Sequence, residues 1–176
     1  RRFLNVTGQH PAMLAYQGLH EPLEDYTSRQ LQRFYRAMKR IAPDLPVAHM
    51  VGDIVAFDRN LRFPNREFAP DICDICIVFH YPAQSAGDRM VFDEHGLQTL
   101  LRGNLQLAAQ RDPGAQIWLL GQAFSQEDSR YSFRMPTPEE MQAIFTLAQK
   151  EGVDGFLWYP WIHNAYEQVL GDAGSQ

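Results

Sequence analysis

The residue best suited to chemistry in this sequence is Glu21. An apolar run that starts just after Pro11 ends in the triplet His20, Glu21 and Pro22. A capping pattern and an amphipathic segment follow at once, so Glu21 is expected where a buried strand opens into a loop. A carboxylate in that position can give or take a proton. It could also cap the following helix or pair with an arginine, and spacing alone says only that a carboxylate lies at a strand end.

Polar and aromatic side chains mark the ends of three further apolar runs. One run ends at His80 and Tyr81, another at Gln122, and the last carries Trp158 and Trp161. Such side chains can hydrogen-bond and stack on a ligand. Core packing explains aromatic residues on strands equally well, and both readings stay open.

Three histidines fall on three successive predicted strands. His20 and His80 lie at the carboxyl ends of their strands, and His49 lies on the strand between them. Some metal-dependent barrel hydrolases arrange their ligands in this way. The favoured reading is nevertheless a set of hydrogen-bonding histidines around a polar cleft, with no metal or cofactor.

The two cysteines, Cys73 and Cys76, resemble half of a redox or zinc motif. On a strand, a separation of three residues directs the two side chains to opposite faces. We therefore predict two buried core thiols, since free cysteine is among the most buried residue types. The second cysteine pair of a structural zinc site is missing from the sequence.

The apolar runs alternate between strand and helix signals along the chain. Capping patterns at Thr27 and Thr137 precede two helices, and a helical spacing of leucines predicts a third. Two polar segments, 53–70 and 125–134, are predicted as loops, as is the segment between the third strand and its helix. A helix tail over residues 1–9 and a short terminal helix are also expected. The predicted strands are residues 13–19, 47–51, 72–79, 116–120 and 153–158.

This alternation predicts an α/β fold in which helices pack outside a parallel sheet. The length of 176 residues predicts a single domain over 1–176. Five strands can form an open sheet, but an eight-stranded closed barrel usually needs about 250 residues. The expected architecture is therefore about five βα units of parallel strands.

Composition excludes two classes of partner. The formal charge is −5, whereas a nucleic-acid surface normally shows a basic excess, so no nucleic-acid partner is predicted. No apolar run approaches the roughly 20 residues that span a bilayer, so no membrane partner is predicted.

Several segments resemble (β/α)8-barrel glycoside hydrolases of the large retaining clan. Residues 14–22 read LAYQGLHEP, similar to the fourth barrel strand, which ends in the acid/base glutamate. Residues 80–82 (HYP) resemble the end of the sixth strand, residues 118–124 (WLLGQAF) the seventh, and residues 155–161 (GFLWYPW) the eighth. The order of these segments implies a partial barrel made of strands four to eight, the C-terminal part of such a domain.

The resemblance implies a protein that binds or acts on a carbohydrate, with Glu21 as general acid/base. Retaining glycosidases need a second carboxylate about 5–5.5 Å away as nucleophile. The resemblance places that group at Gln122, and an amide cannot form the glycosyl ester. Asp53, Glu94 or a group from the missing strands would have to act instead. The substrate contacts implied are His20, Asp53, His80, Tyr81, Gln122, Trp158 and Trp161.

Two alternatives accompany this reading. A catalytically inactive carbohydrate-binding or scaffold barrel would explain Gln122, and a metal-dependent hydrolase would use the histidines. In each case strands one to three must come from a longer chain, of which this is a fragment, or from a partner that covers a natural half-barrel. We favour the fragment, because Arg1 begins inside the expected third helix. A secreted or periplasmic location is compatible with a glycosidase.

Overall fold

The computed structural model describes residues 13–20, 26–58, 66–86, 89–127, 132–159 and 168–169. Four helices lie in these ranges: α1 (Ser28–Ile41), α2 (Ile54–Asp58), α3 (Glu94–Arg111) and α4 (Pro138–Glu151). The strands are β1 (Tyr16–His20), β2 (Val47–Gly52), β3 (Ile75–Phe79), β4 (Ala83–Ala86), β5 (Arg89–Phe92), β6 (Gln116–Gln122), β7 (Phe124–Glu127), β8 (Ser132–Phe133), β9 (Gly155–Tyr159) and β10 (Gln168–Val169).

Five strands form a parallel sheet in the order β1-β2-β3-β6-β9. β1 and β2 are parallel with Tyr16 opposite Val47, and β2 and β3 are parallel with Ala48 opposite Ile75. β2 and β3 are buried along nearly their whole lengths, as expected for strands covered on both faces. The predicted mixed α/β fold with a parallel sheet is confirmed, and it is consistent with part of a (β/α)8 barrel.

The helix starts follow the predicted capping chemistry. The Thr27 side chain accepts from the backbone N–H of Gln30, whose own side chain accepts from the Thr27 N–H. Thr137 and Glu140 make the same reciprocal pair at the start of α4. Gly152 ends α4 with a φ of 84°, a left-handed conformation that favours glycine. Both predicted capping boxes are confirmed.

A second, antiparallel sheet corrects the loop predictions for residues 83–92 and 125–134. Its strand order is β10-β7-β8-β4-β5. β4 pairs with β5 in a hairpin, and Gln84 of β4 lies opposite Phe133 of β8. The strands are only two to four residues long, too short to show the alternating apolar pattern that predicts a strand. Long-range pairing between the two segments makes the sheet.

Three further boundaries differ from the sequence prediction. Helix α2 lies inside the expected loop 53–70, because the side chain of Asp53 caps it. β3 begins at Ile75 rather than residue 72. Where a short terminal helix was predicted, the described residues form strand β10 instead. The expected helix tail over residues 1–9 lies outside the described residues.

The chain divides into two compact units. The first comprises Arg1–Val78 and Gly103–Trp118, and the second comprises Phe79–Arg102 and Leu119–Gln176. In the first unit, the core residues Met38, Leu45 and Val47 pack with half-buried aromatic residues of α1. The prediction of a single domain over 1–176 stays a prediction.

The prediction of two buried thiols is half wrong. Cys73 and Cys76 are buried, with 2% and 0% of their surfaces exposed, but their sulfur atoms form a disulfide. The argument from opposite strand faces fails because Cys73 lies before the first residue of β3. The bond closes a short loop at the start of a buried strand.

Replacing both cysteines with alanine should lower the free energy of unfolding by about 2 kcal/mol, the entropy expected for a four-residue closed loop. Urea unfolding of the variant and the parent would measure the loss. Alkylation of the unfolded parent should modify neither cysteine until a reductant is added. Immediate alkylation of both would show that the thiols are free.

Candidate functional site

The predicted site residues fall into three groups. Glu21 and Trp161 lie outside the described residues. The backbone of His20 ends β1, and its side chain lies outside the described part of the structure. Asp53 belongs to the first unit. The other four lie in the second unit, which brings them within one compact part of the chain: His80, Tyr81, Gln122 and Trp158.

The helix that follows Glu21 has its cap from other residues. Thr27 is the N-cap of α1 and makes the capping box with Gln30. The alternative reading, in which Glu21 serves as that cap, therefore has no support from the helix itself. Glu21 is the first residue after the carboxyl end of β1.

Gln122, the last residue of β6, is fully buried. Its Oε1 accepts from the N–H of Ala83 at 2.9 Å, and its Nε2 donates to the carbonyl of Ala83 at 3.0 Å. Nε2 also lies 2.8 Å from the carbonyl oxygen of Arg134 and 3.3 Å from that of Phe124. The amide thus joins the start of β4, the start of β7 and the residue that follows β8.

These bonds bear directly on the role predicted for Gln122. The side chain pairs with the peptide groups of Ala83 as a neighbouring strand would, and its nitrogen faces three carbonyl oxygens. A carboxylate has no hydrogen to donate to them, so the fold calls for an amide here. The predicted substrate contact of Gln122 stays a prediction, and the geometry gives the side chain a structural role.

Tyr81 lies at the centre of an aromatic cluster. Its ring stacks on Phe79 at 5.3 Å between centroids and meets the edge of Phe124 at 4.9 Å. The Tyr159 ring also stacks on it, at 6.2 Å, and Phe133 of β8 makes a further edge contact. The cluster holds the ends of β3 and β9 together with the antiparallel sheet.

Trp158 lies on the opposite face of β9 from Tyr159. Its ring meets the edge of Phe156, which in turn meets Phe145 of α4. A Cβ on Gly121 would lie 2.8 Å from the Trp158 ring, so only glycine lets the two strands pack this closely. Trp158 therefore faces the side covered by α4 and keeps 37% of its surface exposed.

His80 follows β3, and its Nε2 lies 3.1 Å from a carboxylate oxygen of Asp93. Both side chains are partly exposed, at 25% and 40%. Asp93 was not among the residues predicted from the sequence. An aspartate just before a helix is a common N-cap, so its position directly before Glu94 could have identified it.

Asp53 caps helix α2. Its Oδ1 accepts from the N–H of Val55 at 2.9 Å and from the side chain of the buried Asn104 at 3.1 Å. Its predicted substrate contact stays a prediction.

An ion pair missed by sequence reasoning supports the antiparallel sheet. The guanidinium of Arg134 makes two bonds to Glu140, at 2.6 and 2.5 Å. The bonds from Arg134 hold the pKa of Glu140 below its ordinary value of 4.5. The pair joins the end of β8 to the first turn of α4.

His49 is fully buried on β2, with the Phe34 ring 5.5 Å away. Burial lowers its pKa to about 4, because the charged imidazolium would lose its hydration. Among the described residues, no group of three or more His, Cys, Asp or Glu side chains is placed to hold a metal ion. In the same part of the chain, no helix is long and apolar enough to cross a bilayer.

No protein-family model and no curated protein matches this chain. Among solved structures, it is similar to the β-glucuronidase from Ruminococcus gnavus in complex with D-glucaro 1,5-lactone. The identity is 13% and the TM-score 0.56, over 92% of this chain and 28% of that one. It is also similar to an endo-β-1,4-mannanase double mutant from Cellulomonas fimi. There the identity is 12% and the TM-score 0.55, over 90% of this chain and 38% of the mannanase.

These likenesses show a glycoside hydrolase-like fold. The chain spans well under half the length of either protein.

Gln122→Glu should destabilise the fold by about 3–5 kcal/mol at neutral pH, because a buried carboxylate would face three carbonyl oxygens. Burial raises the pKa of such a carboxyl group, so part of the loss should be recovered as the pH falls below that raised value. Urea unfolding at several pH values measures this. Gln116→Glu, at the exposed start of the same strand, is the matched control and should change stability by less than about 0.5 kcal/mol. Equal effects of the two substitutions would contradict the structural role of the amide.

His49 should make the fold sensitive to mild acid. Its folded pKa of about 4 lies below the ordinary 6.5, so the unfolded chain binds the proton first and stability falls between these two pH values. Between pH 7 and 4, the parent should lose ~3 kcal/mol more than His49→Gln. His95→Gln, which removes an exposed histidine of α3, is the control and should not reproduce this difference. Parallel pH profiles of parent and His49→Gln would refute the prediction.

Proposed function

We propose that this protein is glycoside hydrolase-like and acts on or binds a carbohydrate, with Glu21 as general acid/base. The observation that carries the proposal is the position of Glu21, just past the carboxyl end of a parallel strand whose following helix is capped by Thr27. In (β/α)8-barrel enzymes, catalytic residues come from this end of the strands. The glycosidase-like fold supports the same assignment.

The chemistry assigned to Glu21 is proton transfer to the oxygen of the leaving sugar. A second carboxylate must then form the glycosyl ester or activate a water molecule. Gln122 can do neither, and its amide is engaged by the backbone. The proposed second group is Asp53, Glu94 or a carboxylate supplied by the remaining strands of the barrel. The proposed ligand contacts are His20, His80, Tyr81, Trp158 and Trp161.

The second candidate function is a catalytically inactive carbohydrate-binding or scaffold barrel. The bonds of the Gln122 amide favour it, because they make this position part of the fold rather than of a nucleophilic centre. A metal-dependent hydrolase has no comparable support among the described residues.

We also propose that the five parallel strands correspond to barrel strands four to eight, in about five βα units. β1 and β9 are the edges of the sheet, and an unpaired parallel edge invites further strands. Leu157 on β9 is 39% exposed, as expected if another part of the barrel covers it. Strands one to three would come from a longer chain or from a partner.

Glu21→Gln should lower kcat/KM for glycoside hydrolysis by 10²- to 10⁴-fold, the usual contribution of a general acid/base. A panel of aryl glycosides, assayed with the protein at its natural length, provides the measurement. Glu24→Gln removes a nearby carboxylate and is the matched control, with an expected change below about twofold. Equal activity of the parent and Glu21→Gln would overturn the assignment. Saccharide binding without turnover of any glycoside would favour the inactive barrel.

A further inference from the structure

Asp93 lies between β5 and α3, and its carboxylate has two partners. Oδ1 accepts from the backbone N–H of Gly96 at 2.9 Å, which caps α3. Oδ2 lies 3.1 Å from Nε2 of His80. The backbone N–H of Asp93 also donates to the carbonyl of Pro82 at 2.9 Å, two residues after His80. Asp93 is therefore tied to the His80 segment through both backbone and side chain.

The helix cap decides which ring nitrogen of His80 carries the proton. Asp93 caps the helix as a carboxylate, and the oxygens of a carboxylate only accept hydrogen bonds. The imidazole must then donate from Nε2, which leaves Nδ1 of the neutral ring as an acceptor. Within the described ranges, Nδ1 makes no hydrogen bond.

Gly96 gives this arrangement a steric requirement. A Cβ at position 96 would lie 2.0 Å from Oδ2 of Asp93, the oxygen that holds the imidazole. A side chain there must displace this carboxylate. Glycine at the third residue of α3 thus leaves room for the carboxylate that holds His80, and its backbone is not in a left-handed conformation.

We propose that Asp93 is a positioning residue that fixes His80 as the Nε2-protonated tautomer. Nδ1 then accepts a hydrogen bond from a hydroxyl group of the bound saccharide. The hydroxyl contact rests on the proposed carbohydrate function, whereas the tautomer follows from the contacts of Asp93 alone. The partial exposure of the His80 side chain leaves the ring accessible to a ligand.

The test combines ring ¹⁵N NMR with saccharide affinity. Spectra of the parent, recorded well above the ordinary pKa of histidine, should show His80 protonated on Nε2. Asp93→Asn keeps a good helix cap but can present an N–H to the ring, so the tautomer population should shift. Gly96→Ala keeps the carboxylate but displaces it and should shift the same signals. Gly103→Ala, in the same helix, is the control and should leave them unchanged.

Affinity for a saccharide bound by the parent should fall about tenfold in Asp93→Asn and Gly96→Ala, with the urea midpoint of Asp93→Asn close to that of the parent. A parent ring protonated on Nδ1 would overturn the positioning role. An altered tautomer with unchanged affinity would overturn the hydroxyl contact. If the parent binds no saccharide, the carbohydrate function fails and the hydroxyl contact with it, while the ring spectra still decide the role of Asp93.

Discussion

The buried amide of Gln122 is the interaction on which the second unit most depends. Its two hydrogens and its oxygen satisfy peptide groups from three separate segments, at Ala83, Phe124 and Arg134. The carbonyl of Ala83 also accepts from the N–H of Arg134 at 3.3 Å. A buried peptide group left without any partner costs about 1–3 kcal/mol. The antiparallel sheet is made of strands of only two to four residues. One amide at the end of β6 gives these strands a common anchor.

This anchor changes how the chemistry of the chain is understood. The strand-end position where the family resemblance places a nucleophile is occupied by a group that serves folding. Tyr81 is likewise surrounded by Phe79, Phe124 and Tyr159, so the cluster stabilises the same junction. The two faces of β9 have different contacts. Tyr159 contacts this cluster, whereas Trp158 on the other face packs toward α4 through Phe156. Among the described aromatic residues and Gln122, these contacts belong to packing.

The helix starts and the strands of the parallel sheet could be predicted from the sequence, because neighbouring residues specify them. The caps at Thr27 and Thr137 act within four residues, and apolar runs marked every strand of the parallel sheet. The sequence-based prediction was wrong where pairing between distant segments determines the structure. Gln84 pairs with Phe133 across the antiparallel sheet, and neither segment carries a periodic pattern that would predict a strand. The cysteine pair was misjudged for a related reason: the faces of a strand matter only once its first residue is known, and β3 begins after Cys73.

The carboxylates near strand ends are mostly committed to the fold. Asp53 caps α2, Asp93 caps α3, and Glu140 closes the cap of α4 while it binds Arg134. Each accepts at least two hydrogen bonds, which hold the group in one orientation, and at Glu140 the bonds from Arg134 also lower the pKa. A general acid needs the opposite environment, one that stabilises the protonated form near neutral pH. At α1 the cap is made by Thr27 and Gln30, neither of which is a carboxylate. The role proposed for Glu21 therefore requires surroundings unlike those of these three carboxylates, in which the carboxyl group keeps its proton near neutral pH.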